Sequence, residues 1–306
     1  MIETPMDVLR DFPVRNRKGQ KSRFIEAVQS YARHLNYNVQ VESAKNGVRN
    51  VVIGDPETAK FLITAHYDTP AMLWCPNLIM PCNPFLNALC QIINCFFLML
   101  PAAVIGGVVW YVTQDAKLAY YSLTGAVVLS VLLMMFGLPN PTNANYNTSG
   151  VIALLEIAAS MPENLRSRVC FVLFDREHVT MAGSRAYQKR HHTALKMQTV
   201  ANLNCVGDGD TIMFFPSKDL AEDVNLLCLE RTCGDKLVKI HREGWSSCVS
   251  AHLGFDRGVG VMALRRGKLG YWLGRTRTIR DRKLEYTNIN ILRACLISYI
   301  GSHAAE

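Results

Sequence analysis

Residues 171–187 read FVLFDREHVTMAGSRAY. The apolar run Phe171–Phe174 breaks into the turn Asp175-Arg176-Glu177, and Gly183-Ser184 then opens a new segment. That is the pattern of a buried strand, an acidic turn at its end, and a helix start. Working outward, similar strand ends recur. Lys60–Asp68 (KFLITAHYD) is an apolar strand ending in a His-x-Asp. At the C-terminal edge of a sheet, such a pair can place an imidazole on a metal with a carboxylate behind it. Asn143–Gly150 (NANYNTSG) leads into an apolar helix, Ser149–Ser160. ANLNCVGDGD, from Ala201, ends another strand; SAHLGFDRGVGVMAL, from Ser250, and GRTRTIRD, from Gly274, complete the set.

The remaining segments fill in an α/β pattern. Residues 20–36 place Phe24, Ala27, Val28, Tyr31 and Leu35 on one helical face. Tyr37–Val41 and Val48–Ile53 read as a hairpin around Asn46-Gly47. Arg168–Phe174, Thr199–Val206, Leu237–His241 and Gly258–Leu264 read as strands; Ser184–His192, Asp219–Cys233 and Asn288–Ser302 read as helices. Strands alternating with helices predict a sheet covered on both faces. No internal repeat is present.

One stretch stands apart. No charged residue occurs between Asp68 and Asp115. Within it, roughly 91–113 is apolar over the length of a membrane-crossing helix, about 20 residues, and Pro101 is tolerated in such a helix. After the loop Gln114–Lys117 a second uncharged run, Leu118–Leu138, follows, with Trp110, Tyr111, Tyr120 and Tyr121 placed as an aromatic belt. The sequence therefore predicts a transmembrane helical hairpin at 85–138, inserted into one discontinuous domain made of 1–84 and 139–306. Both ends of a hairpin lie on one side of the membrane. The bulk is basic, so the positive-inside rule places it in the cytoplasm.

The chain has 306 residues, 49% hydrophobic and 19% charged, with a net charge of +8. That composition excludes a disordered chain and a small disulfide scaffold. Ten cysteines form no CxxC pair and several sit in apolar runs, which predicts reduced thiols in a reducing compartment. Lys and Arg are scattered and carry no nucleic-acid-binding motif, so no nucleic-acid partner is expected. The N-terminus has no apolar segment of signal-peptide type.

In their order and spacing, the six quoted segments resemble the M28 family of zinc aminopeptidases. The resemblance implies a three-layer α/β fold with a mixed central sheet and a site for two zinc ions. It also implies water attack on an N-terminal peptide bond, with peptides as substrates. Carried over residue by residue, His66 matches a metal-binding His, Asp68 the Asp that orients it, and Glu177 the general base. The other positions depart from the family. Tyr146 stands where the bridging Asp belongs, His178 replaces a ligating Glu, Asn204 replaces an Asp, and Arg277 replaces the last metal-binding His. His252 matches a His that is not a ligand, with Ala251 in place of an Asp.

Two adjacent zinc ions need carboxylates to offset their repulsion. Tyr146 is neutral near pH 7, with a reference pKa of about 10; Asn204 offers a neutral carbonyl, and Arg277 cannot ligate a metal. His178 is the one competent replacement. The substitutions therefore argue against a dinuclear centre and for an impaired enzyme, with a single zinc on His66 and His178 as a remaining option. Arg277 is expected to replace the missing metal charge by pairing with Glu177; the alternative is that it points to solvent. A rival function is a catalytically inactive peptide-binding or scaffolding protein on the same fold. A transporter component is disfavoured, because the two helices carry no intramembrane charge. His191-His192 reads as a solvated helix end, Asp208–Asp210 as a polar turn, and Ser149 and Ser184 as helix N-caps rather than nucleophiles. Gly258–Gly260 lacks the setting of a dinucleotide fingerprint.

Overall fold

The apolar runs become neighbouring strands of one mixed sheet. The computed structural model describes residues 2–242 and 251–303, so Cys248 and Ser250 lie outside the described residues. The strands are β1 Val39–Ala44, β2 Val48–Ile53, β3 Phe61–His66, β4 Val169–Phe174, β5 Thr199–Leu203, β6 Thr211–Pro216, β7 Arg231–Cys233, β8 Lys236–Ile240, β9 Gly258–Gly267 and β10 Gly270–Trp272. Their order is β1-β2-β4-β3-β5-β9-β6-β8-β7, with β10 on β9. The centre, β4-β3-β5-β9, is parallel; β2 joins β1 and β4 antiparallel, β6 is antiparallel to β9 but parallel to β8, and β7 is antiparallel to β8.

The pleat sends alternate side chains to opposite faces. Phe61, Ile63 and Ala65 join a large cluster with Val51, Phe171 and Leu173. On that face lie three helices: α1 (Lys18–His34), α4 (Ser149–Ser160) and α6 (Tyr286–Ser302). Leu62, Val172, Phe174 and Val200 face the other way, towards Tyr187 of helix α5 (Ala182–Arg190) and Phe255. This is a three-layer fold. The body of helix α4 is apolar except for Glu156, which accepts the Tyr286 hydroxyl at 2.6 Å, and it is buried on every side: Val151, Ile152, Leu154, Leu155 and Ile157 are fully enclosed. Each such side chain contributes about 1.5–3 kcal/mol of burial.

The segment 219–233 corrects the sequence reading. It is not one helix but a short turn, a four-residue helix Val224–Leu227, and strand β7. Asp223 accepts from the backbone N–H of Asn225 and Leu226, starting a new helix, and Gly234 (φ +64°) reverses the chain into β8. Strand β6 and the short β10 went unread from sequence. β6, TIMFFP, is a buried apolar run between polar turns and pairs with both β9 and β8. Every described cysteine is free.

The charge-free region forms two antiparallel neighbours, α2 (Pro84–Thr113) and α3 (Ala116–Phe136), with mean hydropathies of 2.3 and 1.9. Both are long and apolar enough to cross a membrane. Their side chains are mostly outward and exposed, among them Phe85, Ile92, Phe96, Val112 and Phe136. At Gly106 a Cβ would come within 2.8 Å of Leu123 Cβ, so the helices approach most closely where α2 has no side chain. The hairpin leaves and rejoins the domain at one place: Ala71 bridges Pro139, and Met72 N–H donates to Leu138 O at 2.8 Å.

Candidate active site

β3 and β4 are parallel and in register, with His66 opposite Phe174. The segments that leave their C-terminal ends, His66–Asp68 and Asp175–His178, therefore emerge side by side, at the edge where open α/β sheets bind ligands. β5 ends next to them, bringing Asn204. The chain before α4 is tied to the same edge by Asn147. Its side-chain amide donates to Leu203 O at 3.0 Å and its carbonyl accepts from Cys205 N–H at 2.9 Å. That clamp delivers Tyr146, whose ring meets His66 edge-on at 5.3 Å. Gly150 sits at the same junction, where a Cβ would lie 2.5 Å from Leu203 O. His66, Tyr146, Glu177, His178, Asn202 and Asn204 line a cavity of about 190 Å³, together with Met181 and Ala251.

Asp68 is the hub. It is fully buried. Its Oδ1 lies 3.1 Å from His66 Nδ1 and accepts the Glu177 backbone N–H at 3.2 Å; its Oδ2 meets His178 Nδ1. Burial alone would push this carboxyl up, but hydrogen bonds from the two imidazoles hold it well below the usual carboxylate range. Asp68 thus orients two histidines, where the sequence suggested one. With both Nδ1 atoms committed to Asp68, each ring keeps Nε2, which has no partner among the described residues. Behind this cluster is Arg15, a cation that sequence reasoning missed. It is completely buried, with Nε donating to Tyr67 O at 2.6 Å and Nη2 to Thr148 Oγ1 at 2.9 Å. Burial lowers its pKa to about 10, while Asp68 opposes that fall.

Glu177 also has a firm setting. Its Oε1 accepts the Ser184 backbone N–H at 2.7 Å and its Oε2 the Ser184 hydroxyl at 3.0 Å, in the first turn of α5. Ser184 is therefore not a helix N-cap but an anchor for Glu177. Burial still raises the carboxyl to about 7, more than these bonds lower it. Burial also pushes the Tyr146 phenol upward, so it stays neutral.

Arg277 does not pair with Glu177, and it is not free in solvent. Its guanidinium Nη2 donates to Met134 O at 3.3 Å, in the last turn of α3. Residue 277 has a positive φ, 61°, and its backbone carbonyl accepts from Leu73 N–H at 2.7 Å. These contacts direct the side chain towards the hairpin. The RTIRD segment instead contributes Asp281, whose carboxylate accepts the N–H groups of Asn145 at 2.7 Å and Tyr146 at 3.1 Å. Burial raises Asp281 to about 6 against those bonds.

Other candidates resolve structurally. His191 is buried, not solvated: its ring nitrogens lie 2.8 Å from Glu42 Oε1 and 2.5 Å from Glu57 Oε1, and it stacks on Tyr187. His192 is exposed. Asp208 pairs with Arg265 at 2.6 Å, and Asp210 accepts the Arg266 backbone N–H, which makes 208–210 a turn closed by β9. Ser149 is the first residue of α4 rather than its cap; its hydroxyl donates to Asn145 O and accepts Val206 N–H. His252 is buried, with its ring against Gly260.

The donor set does not fit two zinc ions. Of the ligand positions, only His66 and His178 carry metal-binding side chains; Tyr146 is kept protonated by burial, Asn204 offers a neutral amide, and Arg277 is a cation turned towards Met134 O. No group of three His, Cys, Asp or Glu side chains among the described residues is arranged to hold a metal.

Comparison with known proteins agrees with the fold. The model of peptidase family M28 matches residues 136–239, which include Tyr146, Glu177, His178 and Asn204. No curated protein matches the sequence. Among solved structures, a glutaminyl cyclase from Porphyromonas gingivalis superposes with a TM-score of 0.63 at 15% identity, covering 98% of both chains. A Zn-dependent exopeptidase from Parabacteroides distasonis gives 0.56 at 14%, covering 97% of both. A glutaminyl cyclase from Macrostomum lignano gives 0.60 at 11%, covering 98% of this chain and 88% of that one. At these identities the likeness is one of fold.

Proposed function

We propose that this chain, which has the M28 peptidase fold, is a membrane-anchored peptide-binding protein whose peptidase pocket has lost ordinary two-zinc catalysis. The observation that carries the reading is Tyr146: a neutral phenol meets the His66 ring where the resemblance implies a bridging carboxylate, and Arg277, at the last ligand position, turns away to Met134 O. The cavity, about 190 Å³, is smaller than the roughly 300–1,000 Å³ of drug-sized pockets. It suits the end of a peptide rather than its middle, with Glu177, anchored by Ser184 at the cavity wall, offering the second lone pairs of its carboxylate to a terminal amine. The two apolar helices anchor the chain, and the basic bulk faces the cytoplasm.

The test is zinc content and aminoacyl-substrate hydrolysis of the purified full chain, alongside binding of peptides with free and acetylated amino termini. Fewer than one zinc per chain, no chelator-sensitive turnover and a preference for the free terminus are expected. Two zinc ions per chain with chelator-sensitive turnover would overturn the reading. The combined changes Tyr146→Asp, His178→Glu, Asn204→Asp and Arg277→His should then raise zinc content and turnover together.

A second reading, a much-impaired hydrolase, is favoured by one feature. Glu177 titrates near 7 beside two imidazoles with open Nε2 atoms, the setting of a general base poised for neutral pH. His66 and His178 would then be the residues holding a single zinc.

A further inference from the structure

A second and larger cavity, about 990 Å³, opens between the domain and the foot of the hairpin. One wall is basic: Arg17, Lys18, Lys21, Arg49 and Arg176 line it, against a single carboxylate, Asp175. Asp175 is already neutralised by Lys21, whose Nζ lies 2.5 Å away with both groups buried. Among the described residues the side chains of Arg17, Lys18 and Arg176 form no ion pair with a carboxylate, while the Arg49 guanidinium donates to Ser22 Oγ and Lys18 O. The opposite wall is apolar. Leu133, Met135, Phe136 and Leu138, at the end of α3 and just beyond it, supply it, and Phe136 and Leu138 are three-quarters exposed. His178 lines both this cavity and the smaller one.

A helix of 21 residues rises about 30 Å, the thickness of the bilayer's hydrocarbon core. If α2 and α3 cross the membrane, Phe136 marks the core's boundary, and Gly137–Pro139 with the basic wall lies at headgroup depth. The chemistry on the two walls is that of one molecule, with an anionic head and an acyl body. We propose that this groove is a binding site for an anionic phospholipid from the leaflet facing the domain. The inference rests on the membrane-anchored reading above. The lipid's headgroup sits against Arg17, Lys18 and Arg176, its acyl chains run along the outer face of α3, and it borders the approach to His178.

The experiment uses the full chain, delipidated in mild detergent, with native mass spectrometry after adding phosphatidylserine or phosphatidylcholine of matched chains. One phosphatidylserine per chain is expected, preferred by at least about tenfold given the usual gain per basic residue at an anionic surface. The triple change Arg17→Gln, Lys18→Gln and Arg176→Gln should abolish the preference without altering the unfolding temperature. Arg280→Gln with Arg282→Gln, exposed cations elsewhere, should keep it. Equal retention of the two lipids, or an unaffected triple variant, overturns the inference. So does displacement of the lipid by equimolar inorganic phosphate or by an acidic peptide, which would assign the groove to a free anion or to a peptide. Carbonate extraction of membranes separates the two readings: a wild-type chain that resists extraction but shows no lipid preference overturns this inference alone, whereas a chain released by carbonate overturns the anchoring and the lipid site with it.

Discussion

Asp68 is one carboxylate holding two rings, and that makes it the most sensitive residue of the site. Asp68→Ala should leave both imidazoles unoriented and the buried Arg15 without a nearby negative charge. Removing one member of a buried charged cluster costs about 3–5 kcal/mol, readable as a lower midpoint in chemical denaturation. His252 gives a pH signature. Burial lowers its pKa to about 4 from 6.5, so as pH falls the unfolded chain takes up the proton first. The stability it contributes is fully present above pH 6.5 and is lost as pH falls towards 4, by up to about 3 kcal/mol. His252→Gln should flatten that part of a stability-against-pH curve. His66 and Asp68 stood out in the sequence as a His-x-Asp at the end of an apolar strand and Glu177 as part of the acidic turn after another, while their expected roles came only from the family resemblance. Arg15, Ser184 and Asp281 were not read as part of the site. Arg15 and Asp281 act on partners more than fifty residues away, and Ser184 looks like any helix-opening serine until Glu177 is seen folding back onto it.

At the level of elements, tight junctions decide what is tolerated. Gly183 opens α5 so close to β4 that a Cβ would stand 2.4 Å from Asp175 O and 2.7 Å from Asn50 Oδ1. Gly183→Ala should therefore destabilise by at least about 1–3 kcal/mol, seen as a fall in unfolding temperature, and should shift the Glu177 turn with it. Arg277 illustrates the opposite case. As a cation on the last turn of α3 it complements the helix dipole, an effect of about 0.3–1 kcal/mol. Arg277→Ala should cost no more than that, yet speed hydrogen exchange at residues 133–138. α4 and the strand ends around it were readable because their apolar patterns are long and bounded by polar turns. Residues 219–233 misled because Leu220, Leu226, Leu227 and Leu229 mimic a helical spacing, while Asp223 and Gly234 cut the segment into pieces.

Across the whole molecule, the inserted hairpin and the sheet divide the work. Cysteine labelling at 114–117 should mark the side of the membrane opposite the domain, and labelling at the exposed Cys228 the same side as the domain. Reaction of both sites from one side would contradict a spanning hairpin. Because Ala71–Pro139 closes its base, replacing residues 85–136 by a short Gly-Ser linker should yield a water-soluble domain with an intact sheet, measured by circular dichroism and hydrogen exchange. The interruption was legible as a charge gap and the sheet as a run of apolar strands. The path of Arg277 towards the hairpin was not, since its acceptor is a backbone carbonyl that carries no sequence signature. The strand order also sets a timetable. β3 lies between β4 and β5, and β2 reaches β3 only through β4, yet both β4 and β5 are encoded after the hairpin. During synthesis the first three strands leave the ribosome with β3 unpaired on either edge. β1 and β2 can pair with each other at once, but β3 stays an open, apolar segment until the hairpin and the two later strands have been made, and in that interval the nascent chain is most exposed to misassembly.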